Sequence, residues 1–550
     1  MASREPDIQP MAFQSPLLLS VGAVLLLLAV RRLRRRSSLP LPPGPPALPL
    51  IGNVLDVPTD GPMGFRDLCT KYGDVVHLDV AGQPMIVLGS QEAASDLLEK
   101  RSSNYSDRAP SPMVDIAGFG WAFTVRGYGS FWRRGRRAFH QFFNQAAVQN
   151  YADDQRLEAH RLVMRLIHKP EAFVHHIRHM FGSSIMRVVY GIEVDEDSVD
   201  YLKIAEDTMS IFSEAFQPGR FLIETLPFLR HLPSWVPGAT VKLKGVAWRP
   251  VVWRLVEEPW KYAMAAMKEG TARPSMASSL MANVPQSFGE SDDVSEEEAI
   301  YRGTTATAYA GGADTTLSTV QTFFLAMAAH PHVLAKAQVE LDAVVGPHRL
   351  PEFSDMESLP YLRAVVKELL RWRVVVPLGV PHRSMEDDEY RGYVIPKGSL
   401  LVANIWTKAD SSASRARAIA RDPDVYDNPD AFIPERFLTA EGELDPDVRD
   451  PATFSFGYGR RLMAAGNRAR ICPGRHYATS VLFMVAATVL HTMSITAPLG
   501  KDGKPIPMEG KMTYGLLSYP ERFECVIKPR SAEAVALIQA SCGDLPGHDE

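Results

Sequence analysis

Four short segments, which follow one another in a fixed order through the second half of the chain, constrain this protein more than any other feature. The last of them places Cys472 after an arginine, Arg470, and before a Pro473–Gly474 turn. Each segment alone is a weak signal, because short motifs recur by chance. Their common order is therefore the informative observation. The segments are Ala310–Thr316 (AGGADTT), Glu368–Arg371 (ELLR), Pro434–Phe437 (PERF) and Arg470–Gly474 (RICPG).

Length and composition exclude several classes of protein. By length alone the chain would divide into about three or four domains, but no long linker divides its 550 residues. A net charge of −5 gives no indication of a nucleic-acid partner. The four cysteines are too few for a disulfide scaffold, and no CxxC or Cys/His spacing suggests zinc. This cysteine usage fits a reducing compartment.

The N-terminus carries an apolar run, Met11–Val30, with leucine clusters at its centre. As a helix, such a run would span about 30 Å, the thickness of a hydrocarbon core. A cleaved signal peptide is the alternative, but it needs positive charge before the apolar run. Here the arginines follow the run, from Arg31 to Arg36. The asymmetry predicts an uncleaved, single-pass anchor over residues 1–36, with the bulk of the chain in the cytosol.

Residues 37–50 are rich in proline, which removes hydrogen-bond donors and favours an extended chain. We predict a stiff hinge here, although a disordered linker would have the same composition. Residues 51–550 would then form one domain, mostly α with a small β region. Two alternating runs, Val75–Val80 and Pro84–Leu88, are separated by three residues and predict a hairpin.

The clearest predicted helix begins at Ser295, in a capping box with Glu298, and ends at His330 before a proline. Gly311 and Gly312 lie in its middle, where two glycines cost about 2 kcal/mol relative to alanine. One interpretation is a local opening where the backbone approaches a ligand. The other is a helix break, with Asp314 capping a second helix.

Two further pairs lie at helical spacing. Glu368 and Arg371 are three residues apart, and Trp132 and Arg136 are four apart within a cluster of arginines. As a surface pair, Glu368 and Arg371 would contribute only about 0.2–0.5 kcal/mol. A basic cluster can equally be a solvated face or a nucleic-acid site, so neither pair identifies a function by itself.

Together, the four segments resemble those of the cytochrome P450 family, the haem-thiolate monooxygenases. The resemblance extends from the proline-rich stretch near Pro42 almost to the C-terminus. It is strongest to fungal microsomal members, similar to O-methylsterigmatocystin oxidoreductase-like proteins. It implies the mostly α cytochrome P450 fold with a small β region, preceded by a single N-terminal transmembrane helix.

The resemblance implies that particular residues bind haem b. Cys472 would be the thiolate ligand of the iron, and Arg470 would be a cofactor-binding residue in the same loop. Trp132 and Arg136 would hold one haem propionate through charge-assisted hydrogen bonds. His382 would contact the second propionate, although a lone histidine in such a loop can have a purely structural role.

The resemblance also implies catalytic and structural roles. Asp314 and Thr315 match the acid and threonine that deliver protons, so that the O–O bond of dioxygen breaks to give water. Glu368 and Arg371 would meet Arg436 of the PERF segment in a buried triad behind the haem, and disruption of a buried triad is costly.

The implied activity is the insertion of one oxygen atom of O2 into a lipophilic small molecule, such as a polyketide or terpenoid of secondary metabolism. Electrons would come from NADPH through NADPH–cytochrome P450 reductase, for which the arginines beside Trp132 offer a positive face. The expected location is the endoplasmic reticulum membrane, with membrane lipid as a further partner and no nucleic acid. Aromatic and apolar residues are expected to line the substrate pocket, with ordinary core packing as the alternative: Phe119, Trp121, Phe123, Val374–Val380 and Tyr514–Leu517.

The cysteine loop departs from the family pattern. The phenylalanine and glycine that should precede Cys472 are found further upstream, in Phe454–Arg461, and deleting Leu462–Arg470 would restore the pattern. A second unexpected segment lies at residues 407–417. We interpret both as remnants of alternative splicing or of the gene model, with tolerated surface loops as the rival. An alternative function follows: a membrane-anchored haem-binding or haem-free variant without turnover.

Overall fold

The protein is mostly helical in a computed structural model. The structure describes residues 39–59, 61–194, 200–217, 220–236, 238–283, 292–406, 418–459, 471–508, 510–513 and 515–543. Three of the longer helices begin with a proline, whose fixed φ and missing N–H suit the first helical position. The helices of seven residues or more within these ranges are α1 (Pro62–Tyr72), α2 (Ser130–Phe143), α3 (Ala152–His168), α4 (Phe173–Tyr190), α5 (Tyr201–Ala215), α6 (Val241–Glu269), α7 (Met276–Ala282), α8 (Asp292–Ala329), α9 (Pro331–Val344), α10 (Pro360–Trp372), α11 (Arg475–Thr492) and α12 (Ala532–Cys542).

Short helical segments connect these helices. Single α-turns lie at Gln91–Ala94, Ser102–Tyr105, Pro112–Ala117, Gln145–Val148, Leu222–Thr225 and Ala452–Ser455. A π-helical segment spans Ser95–Lys100. The 3₁₀ segments are Val54–Asp56, Phe119–Trp121, Gln149–Tyr151, Pro170–Ala172, Pro227–His231, Phe353–Ser358, Ile419–Arg421 and Pro434–Phe437.

The strands within the described ranges form three small sheets. The largest has the order β1-β2-β6-β3, with β2 parallel to β6 and the other neighbours antiparallel. Two antiparallel pairs, β4–β5 and β7–β8, complete the set. The strands are β1 (Val75–Val80), β2 (Gln83–Leu88), β3 (His382–Arg383), β4 (Asp388–Tyr390), β5 (Tyr393–Ile395), β6 (Leu400–Ala403), β7 (Met493–Thr496) and β8 (Val526–Pro529). The predicted fold class, mostly α with a small β region, is confirmed.

The predicted hairpin is present, with β2 beginning one residue earlier than expected. Ala81 and Gly82 form a two-residue turn, and both have positive φ, +49° and +93°. This conformation matches the right-handed twist of the flanking strands, which is why glycine is favoured in such turns. Val75 lies opposite Leu88, so the strands pair along their whole length.

Helix α8 is the central helix of the body and packs against α2, α4, α5 and α11. Its 38 residues span about 57 Å. Phe323 and Phe324 are fully buried on adjacent faces of this helix, because helices surround it on several sides.

The predicted bounds of this helix need two corrections. It begins at Asp292, so Ser295 lies within the helix rather than at its start. Glu298 accepts a hydrogen bond from the Trp260 indole at 3.3 Å. The helix ends at Ala329, one residue before the predicted end, because α9 begins at Pro331.

The proline-rich segment is hydrogen-bonded to the sheets where it is described. The amide of His77 donates to the Pro43 carbonyl, and the amide of Val394 donates to the Pro40 carbonyl, both at 2.9 Å. A side chain at Gly44 would lie 2.0 Å from the His77 carbonyl oxygen, so only glycine allows this close approach. The hinge over residues 37–50 stays a prediction. These hydrogen bonds attach its described part to the sheets of the folded domain.

The predicted membrane anchor, residues 1–36, lies outside the described residues. Among the helices that the structure does describe, none combines the length and the apolar character needed to cross a bilayer. The two unexpected segments, residues 407–417 and 462–470, and the predicted cofactor-binding Arg470 also lie outside the described ranges.

Candidate active site

A cavity of about 340 Å³ lies beneath the middle of α8, between this helix and the start of α11. Apolar and aromatic side chains form most of its wall, and polar groups are few. Such a lining suits a lipophilic ligand held in orientation by a small number of polar contacts. The cavity brings together Trp132, Arg136, Thr315, His382 and Cys472, which are far apart in the sequence.

Cys472 lies just before α11 and is half-buried, on the wall of the cavity. Its amide donates to the Phe456 carbonyl at 2.9 Å. Burial raises the pKa of the Cys472 thiol, while the amide of Gly474 and the cations Arg136 and Arg475 oppose that rise. The backbone amide and the two guanidinium groups therefore favour the thiolate form, which is the form that binds a metal.

The two halves of the cysteine loop meet at this cavity despite the extra residues in the sequence. Phe456, Gly457 and Tyr458 line the same cavity as Cys472. Gly457 has φ +77°, a left-handed conformation that favours glycine. The Phe454–Gly459 half of the loop therefore reaches the cavity, although extra residues separate it from Cys472 in the sequence.

Helix α2 contributes Trp132 and Arg136, which are 1 % and 6 % exposed. Burial, opposed by Cys472 and assisted by the neighbouring Arg475, lowers the pKa of Arg136 to about 10. No hydrogen-bond partner of the Arg136 guanidinium occurs among the described residues. Because a buried cation without a partner is unfavourable, this group is well placed to bind an anionic part of a ligand.

His382 in β3 also lines the cavity and is 5 % exposed. Its Nδ1 is 2.7 Å from the Tyr105 carbonyl oxygen, which can only accept, so Nδ1 carries the hydrogen. Sequence analysis missed Arg108, which lines the same cavity and donates to the Pro381 carbonyl at 2.5 Å. No periodic pattern marks Arg108, because it lies in an irregular segment.

Helix α8 is continuous through Gly311 and Gly312, so the interpretation as a helix break is wrong. A side chain at Gly311 would meet nothing within 4 Å and would project into the cavity. A side chain at Gly312 would lie 2.7 Å from Ile185 Cγ1, so this glycine allows α4 and α8 to pack closely. The hydroxyl of Thr315, which lines the cavity, donates to the Gly311 carbonyl at 2.7 Å.

The side chains of Asp314 and Thr315 line different cavities. Asp314 is 7 % exposed, and its carboxylate accepts a hydrogen bond from the Tyr519 hydroxyl. It lines a second cavity, of about 1120 Å³, rather than the first. Burial raises the pKa of Asp314, while Tyr519 and Arg178 oppose that rise. The predicted roles of Asp314 and Thr315 in proton delivery stay predictions, since the two side chains do not converge on one cavity.

Most of the residues expected to line the substrate pocket border the first cavity. Phe119, Trp121 and Phe123 border the first cavity, as do Val375, Val376, Leu378, Gly379, Val380, Leu516 and Leu517. Tyr514 lies outside the described residues. Ile185, Met209 and Phe212 were missed, because their positions on α4 and α5 follow the pattern of ordinary core residues.

The expected triad behind the cavity is confirmed. Arg371 donates to both oxygens of Glu368, each at 2.7 Å, and both residues are 0 % exposed. Arg436 donates to the same carboxylate at 3.3 Å. Arg371 also donates to the carbonyls of Ala420, Pro429 and Ala431. The triad therefore fixes α10 against the PERF segment and the chain that leads to it.

Comparisons with known proteins agree with this architecture. A sequence model of the family "Cytochrome P450" matches residues 42–525. The chain is 41 % identical over 518 residues to Cytochrome P450 monooxygenase COX1 of Coprinopsis cinerea, covering 93 % of this chain and 95 % of that protein. It is 38 % identical to Tryptamine 4-monooxygenase of Psilocybe cyanescens, with 92 % and 96 % covered.

A third relative, Cytochrome P450 monooxygenase 208 of Postia placenta, is 38 % identical, with 95 % of this chain and 98 % of that protein covered. The family match thus includes α8, the buried triad and both described halves of the cysteine loop. The family is one of haem-thiolate enzymes, and the chain is an oxidoreductase that belongs to the cytochrome P450 family.

Proposed function

We propose that this protein is a haem-thiolate monooxygenase that inserts one oxygen atom of O2 into a lipophilic small molecule. The observation that carries the proposal is the cavity, where Cys472, Arg136 and the open side of Gly311 meet an apolar wall. The Arg136 guanidinium has no hydrogen-bond partner among the described residues. As expected from the fungal resemblance, the substrate is a secondary metabolite of the terpenoid or polyketide class.

The residues of the cavity fit haem b. Cys472 would supply a soft anionic ligand for the iron, and Arg136, Trp132 and His382 would supply polar groups for the two propionates. The absence of a side chain at Gly311 leaves room beside α8, where a methyl group would otherwise project into the cavity. When bound, haem supplies the activation of dioxygen, and the thiolate ligand favours O–O cleavage.

The chain itself positions the substrate and moves protons. The aromatic wall at Phe119, Trp121 and Phe123 excludes water and orients the lipophilic ligand. The Thr315 hydroxyl is held by its hydrogen bond to Gly311 and can relay a proton at the cavity surface. Asp314 is the candidate acid behind it, and a change of side-chain rotamer would have to bring its carboxylate towards Thr315.

Electrons come from NADPH through NADPH–cytochrome P450 reductase in this proposal. Helix α2 supports such a partner, because Arg133 and Arg137 are exposed while Arg136 on the same helix points into the cavity. An acidic partner protein would be attracted to the exposed face. Residues 1–36 would anchor the protein in the endoplasmic reticulum membrane with this face in the cytosol.

The test is the carbon monoxide difference spectrum of reduced microsomes that contain this exact sequence. We expect a strongly red-shifted Soret band, which Cys472→Ser abolishes because serine does not bind iron as a thiolate. A Cys542→Ser variant on α12, away from the cavity, is the matched control and should keep the band. A wild-type spectrum without the band would instead favour the alternative, a variant without turnover.

A further inference from the structure

The first and second cavities share a thin wall near the C-terminus. Leu517 lines both cavities, Leu516 lines the first and Gly515 lines the second. We call residues 515–519 the wall segment. It is an irregular stretch of chain, so its position depends on hydrogen bonds to neighbouring elements and not on a sheet or helix of its own.

Two side chains one turn apart on α8 hold the wall segment. The carboxylate of Asp314 accepts a hydrogen bond from the Tyr519 hydroxyl. The hydroxyl of Ser318 donates to the Ser518 carbonyl at 2.5 Å and is fully buried. Because residues four apart share one face of a helix, these two bonds form a double attachment along a single face of α8.

The wall segment is also hydrogen-bonded to a second stretch of chain that lines the first cavity. The amide of Ser518 donates to the Val375 carbonyl at 2.8 Å, and Val375 itself lines the first cavity. The Tyr519 amide donates to the Thr513 hydroxyl at 3.0 Å, which closes the turn. The segment therefore connects α8 with the chain that follows α10.

We propose that Tyr519 and Ser318 are positioning residues for substrate specificity. Their hydrogen bonds to Asp314 and Ser518 hold Leu516 and Leu517 as a rigid wall of the substrate cavity. This inference rests on the proposed function, since the ligand in question is the lipophilic substrate. It gives Asp314 a second role: the carboxylate that can supply a proton also orders the segment that contacts the substrate.

The first experiment compares two azoles that bind haem iron, imidazole and the longer 4-phenylimidazole, by optical titration. In Tyr519→Phe and Asp314→Ala, we expect 4-phenylimidazole to bind about threefold to tenfold more weakly, because the wall loses a hydrogen bond to a charged group. Imidazole, which lacks the phenyl group, should bind within about twofold of the wild type. Ser318→Ala should likewise weaken the binding of 4-phenylimidazole.

Asp314→Asn is the matched rescue variant. Its amide oxygen can still accept the Tyr519 hydrogen bond, so 4-phenylimidazole should bind within about twofold of the wild type. Equal weakening of both azoles in Tyr519→Phe would overturn the proposal, because it would indicate a general disturbance of the haem site. Unchanged binding of 4-phenylimidazole in both Tyr519→Phe and Asp314→Ala would overturn it as well.

A second measurement does not depend on haem. Amide hydrogen exchange at Ser518 should be about tenfold faster in Tyr519→Phe and Asp314→Ala than in the wild type and Asp314→Asn, because local opening becomes easier. Unchanged exchange would contradict the double attachment. The carbon monoxide spectrum of the wild type reports separately on the proposed function, so the failure of either proposal can be recognised.

Discussion

At the scale of single residues, the buried triad allows the stability contribution of a buried ion pair to be compared with that of an exposed one. Arg371 and Glu368 are 0 % exposed, and removal of one partner would leave the other charge buried. We expect Arg371→Met to lower the free energy of unfolding by about 3–5 kcal/mol. Urea denaturation of purified protein measures this change.

Arg363 provides the matched control for the triad, since it lies on the same helix and pairs with Glu357 at 2.6 Å. Glu357 is 80 % exposed, so Arg363→Met should cost no more than about 1 kcal/mol. Equal losses in the two variants would mean that burial does not determine the contribution of the triad.

The two adjacent glycines of α8 give a second prediction at residue scale. Gly312→Ala should lower the free energy of unfolding by about 1–3 kcal/mol, because its methyl group would meet Ile185 at 2.7 Å. Gly311→Ala should instead raise it by up to about 1 kcal/mol through helix propensity. It should also weaken ligand binding, since its methyl group projects into the cavity. Thermal unfolding and azole titration of both variants check this contrast.

At the scale of elements, the flanks of residues 407–417 bear on the interpretation of that segment. The amide of Ile419 donates to the Asn404 carbonyl at 3.2 Å, and that of Ala420 donates to the Ile405 carbonyl at 2.8 Å. Without the segment, each bond would join residues four apart, which is the spacing of a helical turn. The residues on either side of the segment are therefore hydrogen-bonded as they would be if the chain continued without it.

We therefore expect deletion of residues 407–417 to leave the carbon monoxide band intact. The free energy of unfolding should change by less than about 1 kcal/mol, because closure entropy depends only weakly on loop length. Loss of the band in the deletion variant would show that the segment is part of the working fold.

Sequencing the transcript tests the splicing hypothesis directly: reads that lack the codons of residues 407–417 and 462–470 would support it.

At the scale of the whole molecule, buried histidines make stability sensitive to acid. Burial, assisted by Arg156, lowers the pKa of His160 to about 4. In the unfolded chain a histidine titrates near 6.5, so between these values the unfolded state binds more protons. Stability is therefore full above about pH 6.5 and falls as the pH decreases towards 4.

The expected size of this loss is about 2 kcal/mol for His160 at pH 5. A His160→Leu variant should consequently lose less stability than the wild type between pH 7 and pH 5, as measured by urea denaturation at both values. His348, which is exposed, provides the control. If His160→Leu and His348→Leu lose stability equally over this interval, burial of His160 is not the cause.

The sequence by itself determined the fold class, the main helix, the hairpin and five residues of the site, because these depend on local periodicity and on motifs that keep their order. Cys472, Trp132, Arg136, Thr315 and His382 could be named in this way, and the structure brings them to one cavity. The predicted role of Arg470 remains untested because this residue lies outside the described ranges. The proton-delivery roles of Asp314 and Thr315 also remain predictions, although the contacts of both residues are described.

Only the tertiary structure decided which way each side chain faces and what it meets across the fold. Gly312 is required by Ile185 of α4, and Asp314 is held by Tyr519 at a separation of 205 residues. No local pattern encodes such pairs, since burial and hydrogen bonding across the core depend on how the helices pack. For the same reason, Arg108 and Met209 line the cavity without any signal in the sequence.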